Sequence, residues 1–154
     1  MNIALSGLLE IKSFKFMGQS LVQNYIHIVF STKYREPLIL EKIENELFAY
    51  IGGICNELEC TVLNIGGYKD HVHILCMLSK KIALMKLLAV VKANSSGWIK
   101  TKGVEFENFY WQDGYGALSV KHADVPIVSN YISNQKEHHS KQDFKTEFRN
   151  FLNK

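Results

Sequence analysis

The 154 residues carry 18 Lys and Arg against 15 Asp and Glu, a formal charge of +3, with 47% hydrophobic residues and 21% charged. This composition excludes disordered, collagen-like and low-complexity chains and suits one domain with a real core. The mild positive charge permits a nucleic-acid partner without demanding one. Cys55, Cys60 and Cys76 form no C-x-x-C pair, which points to buried thiols in a reducing, cytoplasmic compartment. No apolar run reaches the length needed to span a bilayer, and the first residues lack the basic start of a signal peptide. Residues 1–16 read as an N-terminal extension with little pattern, and 17–154 as a single domain.

Residues 24–32 alternate and are rich in Ile, Val and aromatics, the signature of a first strand. Tyr25, His27, Val29 and Ser31 share one face; Ile26, Ile28 and Phe30 share the other. Lys33, Tyr34 and Arg35 follow, and Pro37 breaks the chain. The trio reads either as a solvated turn or as a contact to phosphate and base. A first helix is expected over 40–58, with Ile43, Leu47, Tyr50, Ile51 and Ile54 as its buried stripe and Gly52-Gly53 weakening its last turns. A second strand is expected over 60–65. Gly66, Gly67, Tyr68 and Lys69 then turn into a third strand as an antiparallel hairpin.

Ser79 is the expected N-cap of a second helix that runs to about residue 98, with Ile82, Met85, Leu88, Ala89 and Lys92 along one side. Lys92, Trp98 and Lys100 make its far end basic and aromatic, although a helix C-terminus favours lysine in any case. Residues 102–113 read as a loop, 115–120 as a fourth strand, and 125–139 as a third helix capped by Asp124 with Pro126 in its first turn. Residues 141–154 suggest a short amphipathic helix. The order βαββαβ plus a helix predicts an α+β fold: a ferredoxin-like, RRM-like antiparallel sheet with helices on one face and strands one and three at its centre.

The third strand holds Asp70-His71-Val72-His73. Period-2 alternation puts His71 and His73 on one face and Val72, Ile74 and Cys76 on the other. Two imidazoles beside a carboxylate can hold a divalent metal, or can be two partly buried histidines with ordinary hydrogen bonds. On the third helix, Tyr131 and Gln135 are four apart and share a face. A tyrosine hydroxyl can act as a nucleophile and a glutamine oxygen as a ligand. His71, His73 and Gln135 would form a mixed nitrogen and oxygen set suited to Mg²⁺ or Mn²⁺.

These motifs carry a resemblance. The His71-Val72-His73 strand resembles the histidine–hydrophobe–histidine motif of a nuclease superfamily. Tyr131-Ile132-Ser133-Asn134-Gln135 matches the Tyr-x-x-x-Gln helix of its single-tyrosine transposases, which move insertion sequences through single-stranded DNA and include REP-associated relatives. Residues 24–35, 110–116 and 135–139 are also similar, so the resemblance spans roughly residues 20–152.

The resemblance implies that residues 17–154 are a transposase domain ending in a catalytic helix. His71, His73 and Gln135 would bind Mg²⁺ or Mn²⁺, and Tyr131 would attack a phosphate to leave a 5′-phosphotyrosine. Asp70 or His27 would orient the ligands from behind. Tyr115 and Tyr68 are the reserve nucleophiles. His138 and His139 match the family block, but adjacent helix positions diverge too far for both to be ligands. The expected partners are single-stranded DNA with hairpin ends and a second copy of the chain, with helix 125–139 near the partner's histidine strand. Lys33, Tyr34, Arg35, Lys92, Trp98 and Lys100 are the expected nucleic-acid contacts. The competing readings are a hairpin-binding module or domesticated relative of the same fold and, more remotely, a purely structural dimer.

Overall fold

The computed structural model describes residues 20–139 together with Thr146 and Arg149. The expected extension at 1–16 and the expected tail helix at 141–154 lie outside the described residues, apart from those two positions. Four strands, β1 (Tyr25–Ser31), β2 (Thr61–Tyr68), β3 (His71–Met77) and β4 (Gly116–Val120), form one sheet in the order β2-β3-β1-β4. Every neighbouring pair is antiparallel. The predicted central pair, β1 and β3, is therefore found. The helices are α1 (Glu41–Glu57), α2 (Leu84–Lys100), α3 (Val125–Ser133) and α4 (Gln135–His139).

The sheet separates two apolar layers. Ile26, Ile28 and Phe30 of β1 and Val72, Ile74 and Cys76 of β3 pack with Leu47 and Ile51 of α1 and Leu87, Leu88 and Val91 of α2. Burying each such aliphatic side chain stabilises the fold by about 1.5–3 kcal/mol, so this side dominates stability. The opposite face carries a much smaller cluster: Leu75 of β3 with Val128 and Ile132 of α3. Strand alternation thus sends the histidines of β1 and β3 to the thin side, under α3.

Four local expectations change. Gly66 and Gly67 do not turn the chain; they lie in β2 opposite His73 and Val72, and the turn is Lys69-Asp70. Their lack of a side chain serves close approach instead. A Cβ on Gly66 would stand 2.6 Å from the Ile132 carbonyl oxygen, and one on Gly67 would stand 2.2 Å from that of His71. In α1 the buried stripe is Ile43, Glu44, Leu47, Ile51 and Cys55, and the helix runs straight through Gly52-Gly53. Tyr50 and Ile54 are only half-buried.

The second helix starts at Leu84 rather than after Ser79. Ser79 instead organises a turn, accepting from the Lys81 N–H at 3.2 Å. Its apolar run is long enough to allow several phases, and packing selects Leu87, Leu88, Val91, Ser95 and Ile99, leaving Met85 and Ala89 exposed. The third helix is interrupted at Asn134, with φ −98° and ψ 18°. Asp124 makes no side-chain cap bond, while Pro126 occupies the first turn as expected. Among the described residues no helix is long and apolar enough to cross a membrane.

Candidate active site

The register places Ser31 opposite His71, Val29 opposite His73 and His27 opposite Leu75. His27 is thus the diagonal neighbour of His73 on the same sheet face. Their rings stack with centroids 5.1 Å apart, and His27 Nε2 lies 2.9 Å from His73 Nδ1. Burial pushes the His27 imidazole down to about 4, so it is neutral at pH 7. Among the polar neighbours of His71 are Asp70 Oδ1 at 2.7 Å from Nδ1 and Gln135 Oε1 at 3.1 Å from Nε2. All three histidines and Gln135 are buried.

Asp70 also accepts from Arg35, through Nε at 3.0 Å and Nη2 at 2.7 Å. Burial alone would raise its carboxyl; the hydrogen bonds from His71 and Arg35 outweigh that and hold it at about 2. An ionised Asp70 draws the His71 proton to Nδ1 and leaves the Nε2 lone pair aimed at Gln135. The Gln135 amide N–H₂ points to the Tyr131 carbonyl oxygen at 3.4 Å, which turns Oε1 toward His71. His71 Nε2 and Gln135 Oε1 thus lie within hydrogen-bond distance at 3.1 Å, with the His71 tautomer deciding whether the nitrogen donates or presents its lone pair. Among the described residues no three His, Cys, Asp or Glu side chains converge as a metal set. His71, His73 and the Gln135 amide oxygen could together offer the mixed nitrogen and oxygen donors that Mg²⁺ or Mn²⁺ accepts.

The interruption at Asn134 separates Tyr131 and Gln135 onto two helices, contrary to the expectation of one continuous face. Both nevertheless reach the histidines. The Tyr131 ring stands edge-on to His73 at 5.6 Å and to His27 at 6.1 Å. Of the reserve tyrosines, Tyr68 ends β2 directly opposite His71, and Tyr115 precedes β4. The side chains of His138 and His139 lie outside the described residues.

Three features hold α3 over the histidine face. Gly66 admits the Ile132 backbone, Ile132 and Val128 pack on Leu75, and the Asn64 amide donates to Ser129 O at 2.9 Å. Asn64 also reaches Ser129 Oγ at 3.0 Å and Ser133 Oγ at 2.9 Å. Its role was missed at sequence level; the signal was a polar residue inside an apolar strand, and a register irregularity between Val62 and Asn64 re-aims it. α3 packs on the chain's own β2 and β3, and α4 on β2.

The six expected nucleic-acid contacts divide into two groups. Tyr34 is 76% exposed, with Lys33 Nζ 5.5 Å from its ring centroid. Lys100 Nζ stands 3.7 Å over the ring of Tyr110, which is itself 51% exposed. The Lys33 N–H donates to Tyr110 O at 2.8 Å, so the two cation–aromatic pairs adjoin. The other three are engaged internally. Arg35 holds Asp70, Lys92 Nζ donates to the carbonyls of Gln112 (2.9 Å) and Gly114, and Trp98 stacks on Tyr50 at 4.7 Å within the thick layer. Burial also lowers the Lys92 ammonium, with Asp113 opposing.

Comparison with known proteins adds the following. A family model described as "Transposase IS200 like" matches residues 20–135. A crystal structure from Deinococcus radiodurans R1, provisionally designated a transposase, is similar with a TM-score of 0.59 and 19% identity over 77% of this chain and 95% of that one. A REP-associated tyrosine transposase bound to a REP hairpin is similar with a TM-score of 0.60 and 13% identity, over 79% of this chain and 72% of that one. At these identities the structural likeness speaks for the fold. No curated protein sequence matches the chain.

Proposed function

The chain belongs to the IS200-like transposase family, and from that premise we propose that it cleaves and rejoins single-stranded DNA at hairpin-bearing ends through a phosphotyrosine at Tyr131. The observation that carries the reading is the approach of Gln135 Oε1 to His71 Nε2 at 3.1 Å, with Tyr131 edge-on to His73. A hairpin partner is supported by the family and by a neighbour of the same fold that is bound to one.

His71, His73 and Gln135 would hold Mg²⁺ or Mn²⁺, which when bound polarises the scissile phosphate. Asp70 fixes the His71 proton on Nδ1, and His27 plays the same part for His73. The Tyr131 oxygen attacks phosphorus, the bond from phosphorus to the 3′ oxygen breaks, and that oxygen leaves as a hydroxyl with the proton the tyrosine gave up. The product is a 5′-phosphotyrosine and a free 3′-hydroxyl. Attack by a 3′-hydroxyl on the same linkage rejoins strands with no hydrolysis. Lys33, Tyr34, Lys100 and Tyr110 offer phosphate and stacking contacts. The resemblance supports a homodimer, and the packing of α3 on its own sheet supports a site completed within each chain.

Incubation with the element's own single-stranded end and Mn²⁺ tests this. The wild type is expected to form a covalent protein–DNA adduct, located by mass spectrometry of the digest at Tyr131. Tyr131→Phe (Y131F) should bind the hairpin and form none. Attachment at Tyr68 or Tyr115 would overturn the assignment of the nucleophile. No adduct on authentic ends would leave a hairpin-binding module.

A further inference from the structure

The turn between β1 and α1 is strained. Tyr34 and Arg35 both have left-handed backbones, at φ 55° and φ 59°, which side-chain-bearing residues rarely adopt. Successive left-handed residues reverse the chain sharply and return the Arg35 side chain toward the sheet end it has just left. Three contacts hold that shape. The Tyr34 N–H donates to Gln112 Oε1 at 2.9 Å, the Arg35 N–H to Thr32 O at 3.0 Å, and Thr32 Oγ1 to Glu36 O at 2.6 Å. Thr32 is tied in turn to the histidine strand, its N–H donating to Asp70 O at 2.8 Å.

Strain of this kind persists only where surrounding contacts over-determine it, and it concentrates near functional sites. Here it delivers two parallel N–H groups of one guanidinium onto Asp70 Oδ2, while Oδ1 of the same carboxylate faces His71 Nδ1. With one oxygen fixed by Arg35, the carboxylate plane is set, and so is the direction in which it meets the imidazole. We propose that Arg35 is a positioning residue: it orients Asp70, and through Asp70 the ring and tautomer of His71, while Gln112 holds the turn that aims it. The inference rests on the reading of His71 as a metal ligand, and it replaces a direct phosphate contact as the role of Arg35.

The test uses the full chain and two readouts. Mn²⁺ affinity is measured by calorimetry without DNA, and the His71 tautomer by ¹⁵N-resolved NMR of the metal-free protein at one fixed pH. Arg35→Ala (R35A) is expected to weaken Mn²⁺ binding about tenfold or more, the range found for groups behind a ligating histidine. It should also reduce the Nδ1–H population of His71 while hairpin affinity in chelator stays within about twofold. Arg35→Lys, with a single donor position, should recover part of both losses, and Gln112→Ala should show a weaker version of them. An unchanged tautomer in R35A would overturn the proposal. So would a loss of hairpin affinity with Mn²⁺ binding intact, which would make Arg35 a phosphate contact. If R35A does not fold, Asp70→Asn against wild type decides the tautomer step and Arg35→Lys the guanidinium step. Equal Mn²⁺ binding by wild type and His71→Ala would defeat the metal reading instead, and the metal-free tautomer would still decide the role of Arg35.

Discussion

His27 Nε2 stands 2.9 Å from His73 Nδ1, with the two buried rings stacked. One of these nitrogens must donate and the other accept. If His73 presents its Nε2 lone pair to a cation, its proton is on Nδ1, and His27 accepts at Nε2 with its own proton on Nδ1. A neutral His27, kept so by burial that pushes it down to about 4, is the required form at pH 7.

His27→Ala is therefore expected to lower Mn²⁺ affinity about 10–100-fold, as loss of a partner behind a ligand does. His27→Gln, which keeps an acceptor near the Nε2 position, should retain much of it. Calorimetry on metal-stripped protein measures both. Wild-type affinity in His27→Ala would show that His73 is oriented by packing alone.

Gly66→Ala should lift α3. The added carbon would meet the Ile132 carbonyl at 2.6 Å and its Cγ2 at 2.9 Å, inside van der Waals contact. Overpacking of this order costs about 1–3 kcal/mol, read by urea unfolding, and the adduct at Tyr131 should be lost with it. Gly53→Ala is the contrast: its added carbon meets nothing within 4 Å inside α1, so a gain of up to about 1 kcal/mol is expected. Undiminished adduct formation by Gly66→Ala would mean that close seating of α3 is dispensable.

Salt dependence separates the lysines. A phosphate contact on a single strand contributes about −0.7 to the slope of log affinity against log salt. Lys33→Ala and Lys100→Ala should each flatten the slope by about that amount. Lys92→Ala should leave the slope alone and lower the melting temperature, because its ammonium is bonded to the carbonyls of Gln112 and Gly114. A flattened slope in Lys92→Ala would move it into the interface.

The cysteines supply a pH test away from the site. Burial, reinforced by neighbouring thiols, pushes Cys55 and Cys76 up from 9.0 to about 12. Their folded values exceed the unfolded ones, so their contribution to stability is intact below pH 9 and falls as pH rises toward 12. Urea unfolding at pH 7 and 10 should show this alkaline loss in wild type and less of it in a Cys55→Ala, Cys76→Ala variant. A thiol reagent at pH 8 should leave native Cys55 and Cys76 unmodified and label them once guanidinium unfolds the chain. Fast labelling of the native protein would contradict the packing.

The histidine face was legible because a strand's period of two leaves no choice: once Val72, Ile74 and Cys76 are assigned to the core, His71 and His73 must face the other way. The central pairing of β1 and β3 followed from element order. Less was legible wherever a residue answers to something distant in sequence. Gly66 and Gly67 carry a local turn signal, yet the smallness of Gly66 serves α3, more than 60 residues away, and that of Gly67 the close approach of β3. Arg35 beside Tyr34 looks like a surface contact until the left-handed turn sends it back to Asp70. The interruption at Asn134 breaks no strong propensity rule, so the pattern of 125–139 ran through it.

The sheet's unequal layers bear on how the molecule comes apart. The cluster of Ile28, Leu47, Ile51, Leu87 and their neighbours holds the cooperative unit, whereas the buried apolar cluster under α3 is limited to Leu75, Val128 and Ile132. Opening of that tether exposes far less apolar surface than global unfolding and so requires much less free energy. Loss of activity and loss of fold are then separate thermodynamic events. A population of chains can keep an intact sheet, native spectra and a full unfolding transition while Tyr131 and Gln135 are away from the histidines.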